Sequence, residues 1–196
     1  MELKNCDLCR ERTYGTGPVP GCGNMQLAQV CLLGRNPGVE EDPIKKPFVG
    51  RAGGKLNEGC VLARLLRSMC YVTNVSKCMT PTNVNPTQQC LRICSDTWLT
   101  DELIALPKLK LVVTLGNQAL HYFERHGTVG ELHGTVLPVD AGRIPGKEGV
   151  SIFVSYHPSA ALRSTLMNTH FMNDMTKLGR YLRKNSLVPA DEVCGI

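Results

Sequence analysis

Cysteine spacing is the first chemical signal in this chain of 196 residues. The chain has ten cysteines, and the first two, Cys6 and Cys9, form a Cys-x-x-Cys pair. That spacing lets two thiolates reach one metal centre. The opening residues do not resemble a secretory signal, so we expect a cytoplasmic protein with reduced thiols. Metal ligation then becomes the leading alternative to simple burial of these thiols.

Three later cysteines could complete such a site. Cys78 follows a β-branched run, and Cys90 and Cys94 lie on the helix predicted after it. Cys90 and Cys94 are four residues apart and share a helix face, so both remain open as the last ligand. Four thiolates suit either a four-iron four-sulfur cluster or structural zinc, and spacing alone does not choose between them.

A second chemical signal follows the apolar run from Val30 to Leu33. Residues Gly34-Arg35-Asn36-Pro37-Gly38 form an irregular loop at a predicted strand end, which is where α/β proteins bind ligands. Phe48 lies in a polar, glycine-bounded segment that is poorly placed for the core, so we predict an aromatic platform beside a pocket. The alternative for this stretch is an ordinary βα connection with a solvated acidic turn.

Two further predicted strands also end in polar residues. The β-branched run after Cys70 carries Asn74, whose amide offers one donor and one acceptor. The run from Val150 to Val154 leads into a loop that contains His157 and Ser159. A single histidine after a strand is more often structural than catalytic, so this residue needs support from its partner loops.

Buried strands alternate with helical patterns along the chain, which indicates an α/β protein. Helices are expected over about 53–68, 87–106, 118–126 and 169–184, and a short strand over 129–139. We predict a single domain over residues 1–196, a three-layer α/β/α sandwich on a central, mainly parallel four-stranded sheet. The net charge of +5 is compatible with a polyanionic partner. No apolar run reaches the length of a membrane span, so no membrane partner is expected.

Together these motifs resemble the uracil-DNA glycosylase superfamily, in particular its iron-sulfur branch, family 4. The resemblance covers residues 6 to about 182 and includes the glycine-proline-glycine loop with its paired acids, the Pro-Phe-Val-Gly-Arg-Ala-Gly run, the Leu-Gly turn and the His-Pro-Ser loop. It implies Cys94 as the last ligand, because the offset from Cys78 fits the family. The ligands predicted in this way are Cys6, Cys9, Cys78 and Cys94. The implied cofactor is a four-iron four-sulfur cluster, with zinc less favoured.

The resemblance implies hydrolysis of the N-glycosidic bond of a pyrimidine flipped out of DNA, with uracil as the leading substrate. Such catalysis needs hydrogen-bond donors aimed at the leaving base, a role that fits His157 and the backbone amides of residues 34–38. Asn36 is similar to an asparagine in the mismatch-specific and single-strand-selective branches, which implies that its amide orients the attacking water. Base contacts are implied for Gly34, Arg35, Phe48 and Asn74. DNA contacts are implied for Arg51, Lys55, Lys77, Ser159 and Arg163.

The first loop departs from family 4, where it typically reads Gly-Glu-Ala-Pro-Gly, and this difference leaves the substrate open. One alternative is a glycosylase that excises a modified pyrimidine, such as a modified cytosine in phage DNA, as an anti-phage defence. Another is a non-catalytic iron-sulfur DNA-binding protein. In each case we expect DNA as the partner and a monomeric protein, and the glycosylases would use water as their only cosubstrate.

Overall fold

One mixed sheet forms the centre of the fold. The computed structural model describes residues 2–81, 84–124, 126–140 and 142–187. In order across the sheet, the strands are β1 (Cys22–Gly23), β3 (Tyr71–Asn74), β2 (Val30–Gly34), β4 (Leu111–Leu115), β6 (Ser151–Ser155) and β5 (Val136–Pro138). The four inner strands run parallel and are almost entirely buried, as expected for a sheet that is covered on both faces.

The predicted α/β class and mainly parallel sheet are confirmed, but the sheet is wider than the four strands predicted. β1 and β5 add antiparallel edges to β3 and β6. They contain only two and three residues, too few to give the alternation that identifies a strand in sequence. The strand predicted over 129–139 was only partly correct, because Val129–Leu132 is helical and only Val136–Pro138 is extended.

Helical segments connect the strands and cover both faces of the sheet. The α-helices within the described residues are α1 (Glu41–Ile44), α2 (Arg51–Ala63), α3 (Gln88–Cys94), α4 (Thr100–Ile104), α5 (Asn117–Leu120), α6 (Val129–Leu132), α7 (Pro158–Ala161) and α8 (Thr165–Lys184). A π-helical turn, Ser95–Leu99, joins α3 directly to α4. None of these helices has both the length and the apolar character needed to cross a membrane.

Alternate residues of each inner strand pack into two separate cores. Leu32 and Val113 point toward the core that contains residues of α2 and α8. Their neighbours Leu33 and Val112 point toward the core formed with α4 and α5. The strand period of two therefore divides the apolar residues between the faces and produces three layers. The single domain predicted over 1–196 includes residues outside those described and stays a prediction.

Candidate functional site

A cavity of about 730 Å³ opens at the carboxyl ends of the parallel strands. Parallel strands bring the loops that follow them to one edge of a sheet, so residues distant in sequence meet there. Among the residues predicted from sequence, those lining the cavity are Arg35, Asn36, Phe48, Asn74, His157, Ser159 and Arg163. The two predicted catalytic residues, Asn36 and His157, thus line the same cavity.

His157 is held as a neutral imidazole with a defined tautomer. Its Nδ1 accepts a hydrogen bond from the Ser159 backbone N–H at 3.1 Å and lies 2.8 Å from the Ser159 hydroxyl. Because a backbone N–H can only donate, the ring proton lies on Nε2. Burial, followed by the positive charges of Arg35 and Arg163, lowers the pKa of His157 to about 4. The ring can therefore donate a hydrogen bond from Nε2 without being charged.

The side-chain amide of Asn36 is fixed from both ends. Its Nδ2 donates to the Pro37 carbonyl at 2.8 Å and to the Thr80 hydroxyl at 3.2 Å. Its Oδ1 accepts from Nε of Arg35 at 2.6 Å, and the Arg35 guanidinium in turn bonds Asn85. A carbonyl can only accept, so this network also determines which end of the amide is oxygen. That oxygen keeps a second lone pair for another donor.

The acids after the loop stabilise its backbone. Glu41 accepts from the Gly38 N–H at 2.9 Å and from the Gly50 N–H at 3.1 Å, and Asp42 accepts from the Thr16 N–H at 2.7 Å. Both acids are buried, so the alternative of a solvated acidic turn is wrong. The Gly38 amide is engaged by Glu41, which removes it from the loop amides predicted to face a leaving base.

Phe48 belongs to both the cavity wall and the core. Its side chain is only 6% exposed and packs in the core on the α2 side of the sheet, so the prediction that it lies outside the core was wrong. Its ring centroid lies 5.7 Å from that of His157. The backbone has φ 55°, a costly conformation for a residue with a Cβ. Arg67 supports it by donating to the carbonyls of Pro47 and Phe48 at 3.1 and 2.8 Å.

Asn74 ends β3 beside Gly34, its pairing partner on β2. A Cβ at Gly34 would clash with Oδ1 of Asn74 and with the Phe48 ring. The absence of a side chain at this position lets both neighbours converge on the cavity. Asn74 is 3% exposed, and within the described residues nothing in the protein hydrogen-bonds its side-chain amide. Its donor and acceptor are therefore available to a ligand.

The cationic residues predicted to contact DNA differ in their surroundings. Arg163 is exposed at the cavity, and Arg51 is exposed at the start of α2. Lys55 pairs with Glu58 on the same helix. Lys77 is 1% exposed, and its ammonium is enclosed by protein acceptors, so the prediction that it contacts DNA phosphate was wrong.

The four cysteines predicted as ligands lie near one another and are mostly buried. The pKa of the Cys78 thiol is raised to about 12, first by burial and then by the other three thiols. Two of the sulfurs accept N–H hydrogen bonds, Cys6 from the Trp98 indole at 3.4 Å and Cys94 from the Lys77 amide at 3.2 Å. Buried thiols with N–H donors aimed at sulfur suit thiolates that are neutralised by a bound metal, so these residues fit a metal centre.

Cys90 adjoins only part of this group. Its sulfur lies 3.5 Å from the Cys9 sulfur and 3.5 Å from the Ser76 hydroxyl. Cys9, Glu11 and Cys90 have ligand atoms that all lie within 4.8 Å of one another. One oxygen of Glu11 bonds Thr87, whereas its Oε2 is buried without a partner. The thiols that raise the pKa of Cys78, in contrast, are those of Cys94, Cys9 and Cys6.

Several cavity residues were missed in the sequence. Thr80 and Asn85 act through Asn36 and Arg35, and no local pattern indicated those contacts. Tyr156, which immediately precedes His157, also lines the cavity. An aromatic residue next to the predicted histidine was the signal that could have identified it. Gly116 has φ 90°, and a Cβ there would lie 3.2 Å from the His157 side chain. The glycine of the Leu-Gly turn therefore allows the two loops to approach.

Comparison with known proteins gives a consistent result. Residues 20–178 match a family model described as the uracil DNA glycosylase superfamily. A type-4 uracil-DNA glycosylase of Pyrobaculum aerophilum is 34% identical over 175 residues, which cover 88% of this chain and 87% of that protein. Proteins with the same name from Archaeoglobus fulgidus and Thermotoga maritima are 32% and 30% identical, covering 94% and 93% of this chain and 90% and 92% of their own lengths.

Two adjacent glycines of α2 test how the Phe48 backbone is supported. A Cβ at Gly53 would clash with the Phe48 carbonyl, whereas a Cβ at Gly54 meets nothing within 4 Å. We expect Gly53→Ala to lower the free energy of unfolding by about 1–3 kcal/mol through overpacking. Gly54→Ala should raise it by about 0.5–1 kcal/mol through helix propensity. Urea unfolding of both variants measures the difference, and equal effects would contradict this packing.

Proposed function

The chain belongs to the uracil-DNA glycosylase superfamily, and on that premise we propose that it hydrolyses the N-glycosidic bond of uracil in DNA to leave an abasic site. The observation that carries the proposal is the cavity shared by Asn36, Asn74 and the neutral imidazole of His157. Relatives named for uracil excision, aligned over most of the chain, support this substrate. The modified-pyrimidine and non-catalytic alternatives have no support among them.

Recognition begins when the nucleotide leaves the base stack, because the bond to be broken is inaccessible inside a duplex. A cavity of about 730 Å³ has room for a pyrimidine and part of its sugar. The free amide of Asn74 matches the uracil edge, donating to the O4 carbonyl and accepting from N3–H. The Phe48 ring stacks on the base face, with Gly34 below both side chains. Thymine presents the same O4 and N3–H groups, so discrimination between the two bases depends on exclusion of the thymine 5-methyl group from the cavity.

Bond cleavage leaves negative charge on the departing base, so catalysis depends on donors aimed at that charge. We assign His157 this role, with Nε2–H donating to the uracil O2 carbonyl. The imidazole stays neutral because burial and two nearby guanidiniums disfavour its protonation. The same charges, on Arg35 and Arg163, stabilise an anionic leaving group. One arrangement therefore both keeps the histidine neutral and favours the departing anion.

We assign to Asn36 the orientation of the attacking water. Its amide oxygen, held by Arg35, has one lone pair left to accept a hydrogen bond from water and aim the water oxygen at the sugar C1′. The water oxygen bonds C1′ as the C1′–N1 electron pair leaves with the base. The water gives up a proton to solvent or to the released base. Thr80 prevents rotation of the amide by accepting from its nitrogen.

A DNA glycosylase acts on DNA, and we assign phosphate contacts to cations at and near the cavity. We assign Arg163 to the strand beside the extruded nucleotide, and Arg51 and Lys55 to more distant phosphates. Ser159 orients His157 through its hydroxyl and amide, in addition to its predicted DNA contact. The predicted monomer, with water as its only cosubstrate, stays a prediction.

We further infer that the cysteine site holds a four-iron four-sulfur cluster. Its ligands are Cys6, Cys9, Cys78 and Cys94. No three of these described sulfurs lie within 4.8 Å of one another, whereas four thiolates around zinc stand about 3.8 Å apart, given a Zn–S bond of about 2.3 Å. The wider arrangement suits a larger, multinuclear centre. When bound, the cluster cross-links the N-terminal segment to the residues after β3 and to α3.

The proposed activity predicts alkali-labile abasic sites in uracil-containing oligonucleotides, single- or double-stranded, and none in matched thymine oligonucleotides. His157→Ala and Asn36→Ala should each lower kcat by about 10²–10³-fold, since each removes one group that acts in the transition state. The exposed His126 provides a matched control, and His126→Ala should retain wild-type kcat. Failure of the wild type to release uracil at high enzyme excess would exclude the proposal.

The neutral imidazole predicts a specific acid limb in the pH profile. Because protonation of His157 removes the productive state, kcat/KM should fall as the pH decreases through about 4. The folded protein disfavours that proton relative to the unfolded chain, so stability should also decrease from about pH 6.5 downward. Arg35→Gln removes a nearby positive charge and should move the acid limb to higher pH, whereas Arg183→Gln should not. A limb at pH 6.5 in the wild type, or no shift with Arg35→Gln, would contradict the assignment.

The cluster predicts a brown protein that contains iron. Cys78→Ala and Cys94→Ala should lose the visible absorbance and most of the iron, and fold poorly, because a ligand of a structural centre is gone. Cys22→Ala and Cys90→Ala should retain the visible absorbance and the iron. Visible spectra and metal analysis provide the measurement. A colourless protein with stoichiometric zinc would contradict the cluster, and loss of iron from Cys90→Ala alone would contradict the ligand set.

A further inference from the structure

Lys77 lies between the cysteine site and the cavity, and it contacts both. Its ammonium donates to the Asn74 carbonyl at 2.8 Å, to the Thr73 hydroxyl at 2.7 Å and to Glu102 at 2.6 Å. An ammonium has three N–H donors, so all three have partners. The three hydrogen bonds therefore fix the end of β3, where Asn74 lines the cavity.

The main chain of the same residue is attached to the cysteine site. The Lys77 amide donates to the Cys94 sulfur at 3.2 Å, and the next residue is Cys78. The Lys77 carbonyl accepts from the Val19 amide at 2.7 Å, which fixes the peptide from its other side. A shift of these cysteines would move the Lys77 backbone and, through its side chain, the Asn74 carbonyl.

We propose that Lys77 is a positioning residue that couples the occupancy of the cysteine site to the reading of uracil by Asn74. The inference rests on the proposed function and adds a path by which the two sites influence each other. A buried ion pair such as Lys77–Glu102 contributes little net stability compared with apolar side chains of the same size. The hydrogen bonds of Lys77 do fix the orientation of the Asn74 backbone, and an amide that reads a base must be held in one orientation.

The coupling is reciprocal, since two sites linked through one element change each other's binding free energy equally. A better ordered cysteine site gives a better oriented Asn74. Conversely, a uracil held by Asn74 should stabilise the segment that carries Cys78. Thymine presents the same O4 and N3–H groups as uracil, so it lacks that effect only through its 5-methyl group, which we expect to keep the base away from Asn74.

The first experiment measures uracil preference in the iron-loaded, full-length protein. Equilibrium binding is compared for oligonucleotides with 2′-fluoro-deoxyuridine, whose glycosidic bond resists cleavage, and for the same oligonucleotides with thymidine. We expect Lys77→Met to lower the uracil-over-thymine preference by about tenfold, which corresponds to the net contribution of about one hydrogen bond. The exposed Lys108 provides a matched control, and Lys108→Met should leave the preference unchanged. An unchanged preference in Lys77→Met would overturn the inference.

A second variant separates orientation from stability. Lys77→Met leaves the Glu102 carboxylate without its ammonium, which by itself destabilises the fold. The double variant Lys77→Met/Glu102→Gln therefore removes both charges and retains the acceptor for Thr73. We expect the double variant to unfold at a higher temperature than the single one but to show the same loss of preference. Recovery of the wild-type preference would assign Lys77 a purely structural role.

A third measurement uses iron release and requires no catalysis. Transfer of iron to a chelator is followed by the loss of visible absorbance, with 2′-fluoro-deoxyuridine DNA or thymidine DNA bound. In the wild type the uracil analogue should slow release relative to thymidine DNA, and in Lys77→Met the two should be equal. Equal rates in the wild type would overturn the coupling. Absence of uracil excision by the wild type would instead remove the proposed function on which the inference rests.

Discussion

The cavity depends on β2 and β3 ending side by side with no side chain between them. Gly34 pairs with Asn74, and the pairing continues beyond the strands, where the Val75 and Ser76 amides donate to the Gly34 and Arg35 carbonyls. The missing Cβ leaves the space in which an amide and an aromatic ring converge. Any larger residue would push apart Asn74 and the Phe48 ring, to which we assign recognition of the base edge and stacking on the base face.

Around this contact, several polar side chains other than the Asn74 amide are already hydrogen-bonded within the protein before any ligand arrives. Glu41 and Asp42 bind backbone amides, Arg35 and Thr80 hold the ends of one amide, and Ser159 holds the histidine ring. Groups arranged in this way need little reorganisation during the reaction, which is the main physical requirement for stabilising a developing anion. The positive charges of Arg35 and Arg163 belong to the same arrangement, because they lower the pKa of His157 and, in the proposed reaction, also favour an anionic leaving group.

Sequence predictions that rested on local features were more accurate than those that depended on contacts between residues distant in the sequence. The Gly-Arg-Asn-Pro-Gly loop was recognised because strand ends and turn residues are local features, whereas the His-Pro-Ser loop was recognised through the family resemblance. The meeting of the two loops at one cavity follows from parallel topology. Lys77 was misassigned because its burial depends on Glu102, which lies on another element 25 residues away. Phe48 was wrongly predicted to lie outside the core, because a polar loop gave no sign that Arg67 and Gly53 hold its backbone against a helix. The edge strands β1 and β5 were not predicted because each is too short to show a strand pattern and is identified only by its pairing with β3 or β6.

The N-terminal segment makes its contacts with residues far along the chain. Glu11 caps the helix start at Thr87, and Trp98 donates to the Cys6 sulfur, across sequence separations of 76 and 92 residues. During synthesis the first two cysteines thus emerge long before the helix that shelters them. They remain open to solvent, oxidants and stray metal ions until about half of the polypeptide has left the ribosome. Assembly of the proposed cluster must therefore come late, and it depends on a cell that keeps nascent thiols reduced for that interval.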